Sequence, residues 1–530
     1  MAAEDGIPGI EKFLVEPTNS KAHRELYAAR KKIHPKRARG FYRSLKWFVM
    51  LVTLGIYYVT PWLRWDRGPY APDQAVLIDL ANTRFYFFFI EIWPQEFFFI
   101  AGMLVMAGIG LFLITSTVGR AWCGYACPQT VWVDLFLVVE RAIEGDRNAR
   151  IKLDAAQMTF GKFVKRISKH TIWLLIAVAT GGAWIFYFAD APTLFAHLLT
   201  GEAPFAAYTT IAILTFTTYT LGGLLREQVC TYMCPWPRIQ AAMLDEHSLT
   251  VTYNDWRGEP RSRHAKRAAV EGKSIGDCVD CNACVAVCPM GIDIRDGQQL
   301  ECITCALCID ACNSVMHKLG RTRGLISYAT LKDYDSNMAV AGARRVEQAG
   351  DIVWDTSTIA PVLNLRESKD KNDRHIAHTG LQSFVRPRTL IYTTIWCLCG
   401  LALLAALSMR DRLDLNVRHD RNPLFVKLSD GSIRNGYELK ILNMKAVPRT
   451  FELAVLNLEG GKMKVAGEPA SQSDRTRIAV KPDQLRQIKV FVTVPRQNII
   501  QSRQEFQFQV KEVEGSEMAE YTAYFESPRP

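Results

Sequence analysis

Long apolar stretches alternate with polar and charged stretches up to residue 409. Five of them have about the 20 residues needed to cross a bilayer; they are 45–63, 97–118, 171–189, 205–225 and 389–409. Five such runs with polar segments between them are typical of membrane-spanning helices rather than of buried core helices. We therefore predict five spans. The aromatic run at 85–93 is interrupted by Glu91, and we expect it to lie at the membrane surface.

The hydrophobic pattern changes after residue 409. Short runs of alternating apolar and polar residues are separated by turn signals such as Gly460-Gly461, and they lie at 424–428, 437–443, 450–456, 477–480, 487–494, 505–513 and 520–525. Several short strands at this spacing indicate an antiparallel sandwich. We predict an immunoglobulin-like β-sandwich over 410–530.

The net charge of +11 is concentrated in particular segments. Lysine and arginine are frequent at 30–46 and at 141–169, sparse between the first two predicted spans, and absent from 190–204. Because cytoplasmic loops carry the excess of lysine and arginine, the N-terminus is predicted to be cytoplasmic. Counting crossings then places 226–388 in the cytoplasm and the β-sandwich outside it.

Eight of the 14 cysteines form two runs between residues 278 and 312, each with the spacing C-x-x-C-x-x-C-x-x-x-C. This spacing is typical of two [4Fe–4S] clusters, in which the fourth thiolate of each cluster comes from the other run. One predicted ligand set is Cys278, Cys281, Cys284 and Cys312. The other is Cys302, Cys305, Cys308 and Cys288. Zinc is the alternative, but zinc ribbons pair two C-x-x-C knuckles instead. The residues after 410 contain no cysteine, which disfavours a disulfide framework and indicates a reducing compartment for the clusters.

Two further cysteine pairs follow the second and fourth predicted spans. Both have the pattern C-x-Y-x-C-P, at Cys123–Pro128 and at Cys230–Pro235. Cysteines four apart share one helix face, and the proline ends the helix at the residue before it. The shared pattern suggests an internal repeat of two helix pairs. Soft thiolates favour Cu(I) or iron–sulfur units, so a metal or redox role is predicted for Cys123, Cys127, Cys230 and Cys234, with packing at a helix end as the alternative. Cys397 and Cys399 point to different sides of the fifth span, and we expect them to pack in a core.

The predicted fold is a multi-domain membrane protein. A five-span α-helical transmembrane bundle carries a cytoplasmic bacterial-type 2[4Fe–4S] ferredoxin module and a C-terminal immunoglobulin-like β-sandwich. The expected domains are a basic cytoplasmic segment at 1–44, a four-helix transmembrane region at 45–234, and a cytoplasmic region at 235–388 with its ferredoxin core at 275–320. The fifth transmembrane helix at 389–409 and a periplasmic sandwich at 410–530 complete the chain.

Together, the doubled cluster motif, the two C-x-x-x-C-P motifs and the terminal β-sandwich resemble the CcoG/FixG/RdxA family, the membrane iron–sulfur accessory proteins of cbb-type cytochrome c oxidases. The resemblance implies reduction of Cu(II) to Cu(I) for the haem–copper centre, and therefore a cupric reductase. It implies that Cys123, Cys127, Cys230 and Cys234 handle copper or relay electrons.

The same resemblance implies a multi-pass protein of the bacterial inner membrane. Its expected partners are a cytoplasmic electron donor, oxidase assembly factors, and a copper transporter or chaperone; a homodimer is also considered, and nucleic acid is not expected. Two other functions stay open at this point. One is a quinol-linked electron-transfer subunit similar to NapH, and the other is a non-catalytic assembly scaffold.

Overall fold

The computed structural model describes residues 10–18, 31–262, 275–340, 344–348, 351–355, 385–445, 447–467 and 474–528. The chain forms two compact units. The first combines Met1–Pro61 with Phe98–Gly400, and the second combines Trp62–Phe97 with Leu401–Pro530. The segment 62–97, which was predicted to belong to the transmembrane region, therefore forms one unit with the C-terminal residues.

The first unit is mainly helical and the second is mainly β-sheet. The helices are α1 Phe41–Val59, α2 Phe98–Val118, α3 Pro128–Glu144, α4 Arg147–Ala155, α5 Phe160–Ile185, α6 Ala191–Thr200, α7 Phe205–Thr218, α8 Trp236–Met243, α9 Asp255–Gly258, α10 Ala283–Val287, α11 Leu307–Lys318, α12 Leu331–Val340 and α13 Pro387–Ser408. The strands are β1 Val76–Asp79, β2 Arg84–Phe87, β3 Ile90–Ile92, β4 Thr250–Tyr253, β5 Ile326–Ala329, β6 Arg344–Gln348, β7 Asp351–Asp355, β8 Leu413–His419, β9 Val426–Lys427, β10 Ile433–Asn443, β11 Arg449–Leu456, β12 Lys462–Val465, β13 Arg475–Val480, β14 Gln484–Val494, β15 Arg503–Glu512 and β16 Met518–Glu526.

Among the residues that the structure describes, three helices are long and apolar enough to cross a membrane. They are Phe41–Trp62, Pro94–Val118 and Pro387–Ser408, and they match the first, second and fifth predicted spans. The third and fourth predicted spans lie in α5 and α7 but do not meet the same criterion. α5 begins with several basic residues, and α7 has 14 residues before the chain continues as a π-helix over Tyr219–Leu225. The prediction of five spans is thus confirmed for three of them only.

Helix α3 carries buried acids that bind basic side chains from neighbouring elements. Asp134 accepts hydrogen bonds of 2.8 and 2.9 Å from one guanidinium nitrogen of Arg43 on α1. Glu140 accepts hydrogen bonds from Arg150 on α4 at 2.7 Å and from Arg226 at 2.9 Å. A buried charge is tolerated only when it is paired, so these contacts hold α1, α4 and the chain after α7 against α3.

The ferredoxin module lies between two paired strands. β4 and β5 run antiparallel with Thr250 opposite Ala329, and they bring the beginning and the end of the module together. α10 begins within the first cysteine run and α11 within the second. Asp310 on α11 accepts hydrogen bonds from the backbone N–H groups of Tyr42 and Arg43 at 3.3 and 2.8 Å. Since a carboxylate stabilises a helix N-terminus, this contact fixes the start of α1 on the module.

The C-terminal part of the second unit forms two β-sheets. One sheet has the order β12-β14-β10-β8 with β9 beside β10, and the other has the order β13-β11-β15-β16. Side chains alternate between core and solvent along the strands, and the core contains Tyr437, Phe451, Phe506 and Phe508. All seven predicted strands are present, and β8 and β12 are additional to the prediction. In the same unit, β1, β2 and β3 form a small sheet that includes most of the aromatic run at 85–93.

Candidate iron–sulfur and thiol site

The two cysteine runs adopt the same backbone conformation. In each run the residues on either side of the second cysteine have positive φ: 48° at Asp280 and 58° at Asn282, then 55° at Thr304 and 59° at Ala306. Non-glycine residues adopt this region infrequently. Such a curled loop directs neighbouring backbone N–H groups inward, which favours a negatively charged group in the loop.

The structure brings the cysteines of the two runs together in a crossed arrangement. Cys288, Cys302, Cys305 and Cys308 line one small cavity, which Cys284 of the other set also borders. Burial, and then the neighbouring thiols of Cys305 and Cys302, raise the pKa of Cys288 to about 12. The last cysteine of the first run therefore lies with the second run.

The other predicted ligand set is grouped in the same way. Burial, followed by the thiols of Cys278 and Cys281, raises the pKa of Cys312 to about 12. Burial raises the pKa of Cys284 as well, and the thiols of Cys312 and Cys281 contribute to that rise. Buried thiols this close to one another become thiolates only when a cation compensates their charge, and the iron ions of a cluster would supply it.

The two crossed sets match the ligands of iron–sulfur clusters. Each set supplies four thiols, and one thiol of each set comes from the other run, which is the ligand pattern of two [4Fe–4S] clusters. The residues present therefore fit two [4Fe–4S] clusters, each held by one of the crossed sets.

Arg295 braces the first cysteine loop and was not predicted from the sequence. Its guanidinium forms ion pairs with Asp280 at 2.7 Å and Asp293 at 2.6 Å, and it donates a hydrogen bond of 2.8 Å to Asn282. Asp280 and Asn282 are the two loop residues with positive φ. Arg295 therefore stabilises the conformation that makes the cysteines converge.

The N-terminal segment covers part of the same loop. The backbone N–H of Phe13 donates to the carbonyl oxygen of Cys281 at 3.1 Å, and Asn282 donates to the carbonyl oxygen of Phe13 at 3.1 Å. The Phe13 ring is buried against Ala283 and Ala286. The N-terminal segment was predicted only as a basic region, but its residues around Phe13 pack against the first cysteine run.

Both C-x-x-x-C-P motifs form a π-helical turn. The turns cover Trp122–Ala126 and Val229–Met233, and each closes with a hydrogen bond from the second cysteine to the residue five positions earlier, at 2.9 Å for Cys127 and 2.8 Å for Cys234. The backbone leaves the helix at both cysteines, as the following prolines predict. Single π-helical turns are rare in proteins, and those that occur often lie at functional sites.

The structure brings the two motifs together at one place in the first unit. Burial raises the pKa of Cys123 to about 12, and the thiols of Cys127, Cys230 and Cys234 contribute to the same shift. The Cys123 thiol donates a hydrogen bond of 3.0 Å to the side-chain carbonyl of Gln240, which is fully buried. Four sulfur atoms therefore lie in one neighbourhood, although they are not arranged as a ready site for one ion.

The first motif contacts the loop of the second cysteine run directly. A Cβ atom added to Gly124 would lie 2.7 Å from the carbonyl oxygen of Ile303 and 3.1 Å from the Cα atom of Cys305. The hydroxyl of Tyr125 donates to the carbonyl oxygen of Cys305 at 3.2 Å. Glycine at this position thus permits backbone contact between the thiol pair and the cluster loop.

Arg120 connects the same elements. Its guanidinium donates to the carbonyl oxygens of Cys302 at 3.0 Å, of Pro237 at 2.7 Å, and of Leu300. One buried side chain thereby joins the end of α2, the loop of the second cysteine run, and the beginning of α8. Nothing in the sequence around Arg120 or Gln240 indicates these contacts. A comparison of the two motifs could have drawn attention to Gly124, because the second motif carries Thr231 at the equivalent position.

Cys397 and Cys399 lie on α13, outside this group of thiols. Cys397 is exposed and Cys399 is half-buried. The expectation that both pack in a core is therefore wrong for Cys397, because the side chain faces outward from this apolar helix.

Family profiles match three parts of the chain. A 4Fe–4S dicluster domain matches residues 225–331, a 4Fe–4S binding domain matches 99–144, and an Ig-like fold at the C-terminus of FixG matches 403–528. The match at 225–331 agrees with the predicted ferredoxin module and the match at 403–528 with the predicted Ig-like domain. The match at 99–144 lies outside that module and includes the first C-x-x-x-C-P motif.

Three curated proteins are similar over most of their length. The "Nitrogen fixation protein FixG" of Rhizobium meliloti is 62% identical over 503 residues, which cover 95% of this chain and 94% of that protein. "Protein RdxB" of Cereibacter sphaeroides is 54% identical over 462 residues, covering 86% of this chain and 90% of that protein. "Protein RdxA" of the same organism is 52% identical over 442 residues, covering 83% and 86%. The chain therefore belongs to the FixG/RdxA family of iron–sulfur proteins.

Proposed function

We propose that this protein reduces Cu(II) to Cu(I) for the assembly of a cbb-type cytochrome c oxidase. The observation that carries the proposal is the contact between the first C-x-x-x-C-P turn and the Cys302–Cys305 loop through Gly124 and Tyr125. When bound, the iron–sulfur clusters would supply single electrons.

The thiols of the two pairs are the candidate copper-binding groups. Thiolate sulfur stabilises Cu(I) over Cu(II), so a copper ion bound there is easier to reduce than one in water. Cys123 is buried and its thiol proton is held by Gln240 at 3.0 Å. Copper binding would replace that proton. The contacts of Arg120 with Cys302 and Pro237 keep the second pair and the cluster loop at a fixed separation from the first pair.

The proposal includes an orientation and partners. Clusters and thiol pairs would lie on the cytoplasmic side of a bacterial inner membrane, and the C-terminal Ig-like domain would lie in the periplasm. A soluble cytoplasmic protein would deliver the electrons. A copper transporter or chaperone would exchange the metal, and oxidase assembly factors would contact the Ig-like domain.

The test is a Cu(II) titration of the full-length protein. The protein is purified anaerobically and reduced, excess reductant is removed, and Cu(II) is added while EPR follows both the cluster signal and the Cu(II) signal. We expect one Cu(II) ion to lose its EPR signal for each reduced cluster that is reoxidised. Clusters that stay reduced in excess Cu(II) would exclude the proposal.

Cysteine variants locate the copper-binding groups. Cys123→Ser and Cys230→Ser should slow the disappearance of Cu(II) while the iron content stays at the wild-type level. Cys397→Ser is the matched control, because this exposed cysteine lies on α13 outside the site. Equal rates in all three variants would show that the C-x-x-x-C-P cysteines do not take part.

A further inference from the structure

The two predicted cluster sites have different surroundings. The Cys302 set consists of Cys288, Cys302, Cys305 and Cys308, and the Cys278 set consists of Cys278, Cys281, Cys284 and Cys312. Three thiols of the Cys302 set pack in one apolar group with Cys123 and Cys230. Three thiols of the Cys278 set pack in a second apolar group, with residues of β4, β5 and α11. The site of the Cys302 set is therefore the one that adjoins the candidate copper-binding thiols.

Arg120 is placed to act on both this site and the thiols. Its guanidinium donates to the carbonyl oxygens of Cys302 at 3.0 Å and of Pro237 at 2.7 Å. Its charge acts on the sulfur atoms of Cys302 and Cys123. The residue is 4% exposed. Because water screens a buried charge little, this charge changes the energy of the charged groups beside it.

The charge of Arg120 is not neutralised by an ion pair. Within the described parts of the chain its hydrogen bonds go to backbone carbonyl oxygens, and Glu301 acts on it as a further electrostatic neighbour. Its Nε–H group is buried and has no hydrogen-bond acceptor there. A buried cation is costly unless an anion lies beside it. An iron–sulfur cluster with four thiolate ligands would supply that negative charge.

Two arginines beside the Cys278 set are paired with carboxylates instead. Arg295 forms ion pairs with two of them, at 2.6 and 2.7 Å. Arg257, whose charge acts on Cys312, forms an ion pair with Asp277 at 2.6 Å. Reduction adds negative charge to a cluster, so positive charge beside it favours the reduced form. The positive charge beside the Cys302 set is the less compensated of the two.

We propose that Arg120 raises the reduction potential of the cluster held by the Cys302 set above that of the other cluster. Net charge and hydrogen bonds to the sulfurs are among the factors that set such potentials. A single electron from the protein donor would then reside beside the thiol pairs. The step adds one electron to one cluster and neither forms nor breaks a bond. The inference rests on the proposed function for the use of that electron, whereas the potential itself is independent of copper.

The test is a potentiometric titration of the anaerobically purified full-length protein, without copper, followed by EPR. We expect two different one-electron midpoint potentials in the wild-type protein. Arg120→Gln should lower the higher one and leave the lower one in place. At the higher wild-type midpoint potential, the ratio of reduced to oxidised cluster should fall about tenfold, which corresponds to about 59 mV for a one-electron couple.

Further variants separate the charge of Arg120 from its structural contacts. Arg120→Lys keeps the charge without the planar fork and should keep the higher midpoint potential. Glu301→Gln removes the acid that acts on Arg120 and should raise this potential, which gives a reading even where Arg120→Gln binds less iron. Arg238→Gln is the matched control, because it removes the same charge from an exposed position on α8.

Several results would overturn the inference while leaving copper reduction intact. They are equal midpoint potentials in the wild-type protein, unchanged potentials in Arg120→Gln, and an equal shift of both potentials in that variant. The same fall in Arg120→Lys or in Arg238→Gln would also overturn it. If the potentials respond as expected but the wild-type protein does not reduce Cu(II), the proposed function fails and the role of Arg120 stands.

Discussion

Gly124→Ala should push the first C-x-x-x-C-P turn away from the loop of the second cysteine run. The new Cβ atom would lie 2.7 Å from the carbonyl oxygen of Ile303, whereas ordinary contacts begin at 3.4 Å. The turn or the loop must therefore move by about 0.7 Å, and both are backbone held by the hydrogen bonds of Arg120 and Tyr125. Overpacking of this kind costs about 1–3 kcal/mol. The greater helix preference of alanine returns at most about 1 kcal/mol.

The expected net destabilisation is about 0–3 kcal/mol, together with slower reduction of Cu(II) at unchanged iron content. The assay combines the midpoint of heat-induced loss of cluster absorbance with the rate at which the Cu(II) EPR signal disappears. Gly108→Ala is the matched control, because a Cβ atom at that position in α2 meets nothing within 4 Å. If both variants keep the wild-type midpoint and rate, the proposed contact between turn and loop is not needed, and the reasoning is refuted.

Three further variants test other contacts. Arg120→Met removes the charged donor from three carbonyl oxygens, and each lost hydrogen bond should destabilise the folded protein by about 1.5–3 kcal/mol. The temperature at which half of the cluster absorbance is lost should therefore fall, and a midpoint within error of wild type would contradict this. Asp134→Asn leaves the buried Arg43 without its anion and should cost about 3–5 kcal/mol in a denaturant or heat titration, whereas a neutral effect would show that the pair is dispensable. Burial, and then Asp483, raise the pKa of Glu91 to about 7 from its ordinary 4.5, so its protonated form stabilises the folded second unit. The stabilisation by protonated Glu91 is complete below about pH 4.5 and is lost as pH rises through about 7. Glu91→Gln should therefore flatten the dependence of the unfolding free energy on pH between about 4.5 and 7. An unchanged slope in this range would exclude Glu91 as its source.

The cysteine chemistry could be predicted because it is local in sequence. A ligand spacing and a following proline determine how a short loop is folded, and the structure gives both cysteine runs the same curled backbone at Asp280, Asn282, Thr304 and Ala306. The alternating strands of the C-terminal domain are local signals too. Two strands were not predicted, β8 and β12. β8 begins a few residues after α13, so few residues separate the continuous apolar run of that helix from the alternating pattern of the strand.

The supporting contacts could not be predicted because they depend on tertiary structure. Apart from the pair between Arg295 and Asp293, the contacts of Arg120, Gln240 and Arg295 described above join groups more than ten residues apart, and nothing in the neighbouring sequence indicates these distant partners. The segment 62–97 was assigned to the transmembrane region because it lies between two apolar runs. Its inclusion with the C-terminal residues depends on pairs such as Arg410 with Glu96, at 3.2 Å.

Metal analysis of the anaerobically purified full-length protein tests the central claim most directly. Two crossed sets of cysteines, Cys278, Cys281, Cys284 with Cys312 and Cys302, Cys305, Cys308 with Cys288, should hold two cubane clusters, so we expect about eight iron ions per chain with equal acid-labile sulfide. The reduced protein should also show the EPR signal of interacting [4Fe–4S] clusters. Zinc in place of iron, or fewer than about four iron ions per chain, would contradict the account.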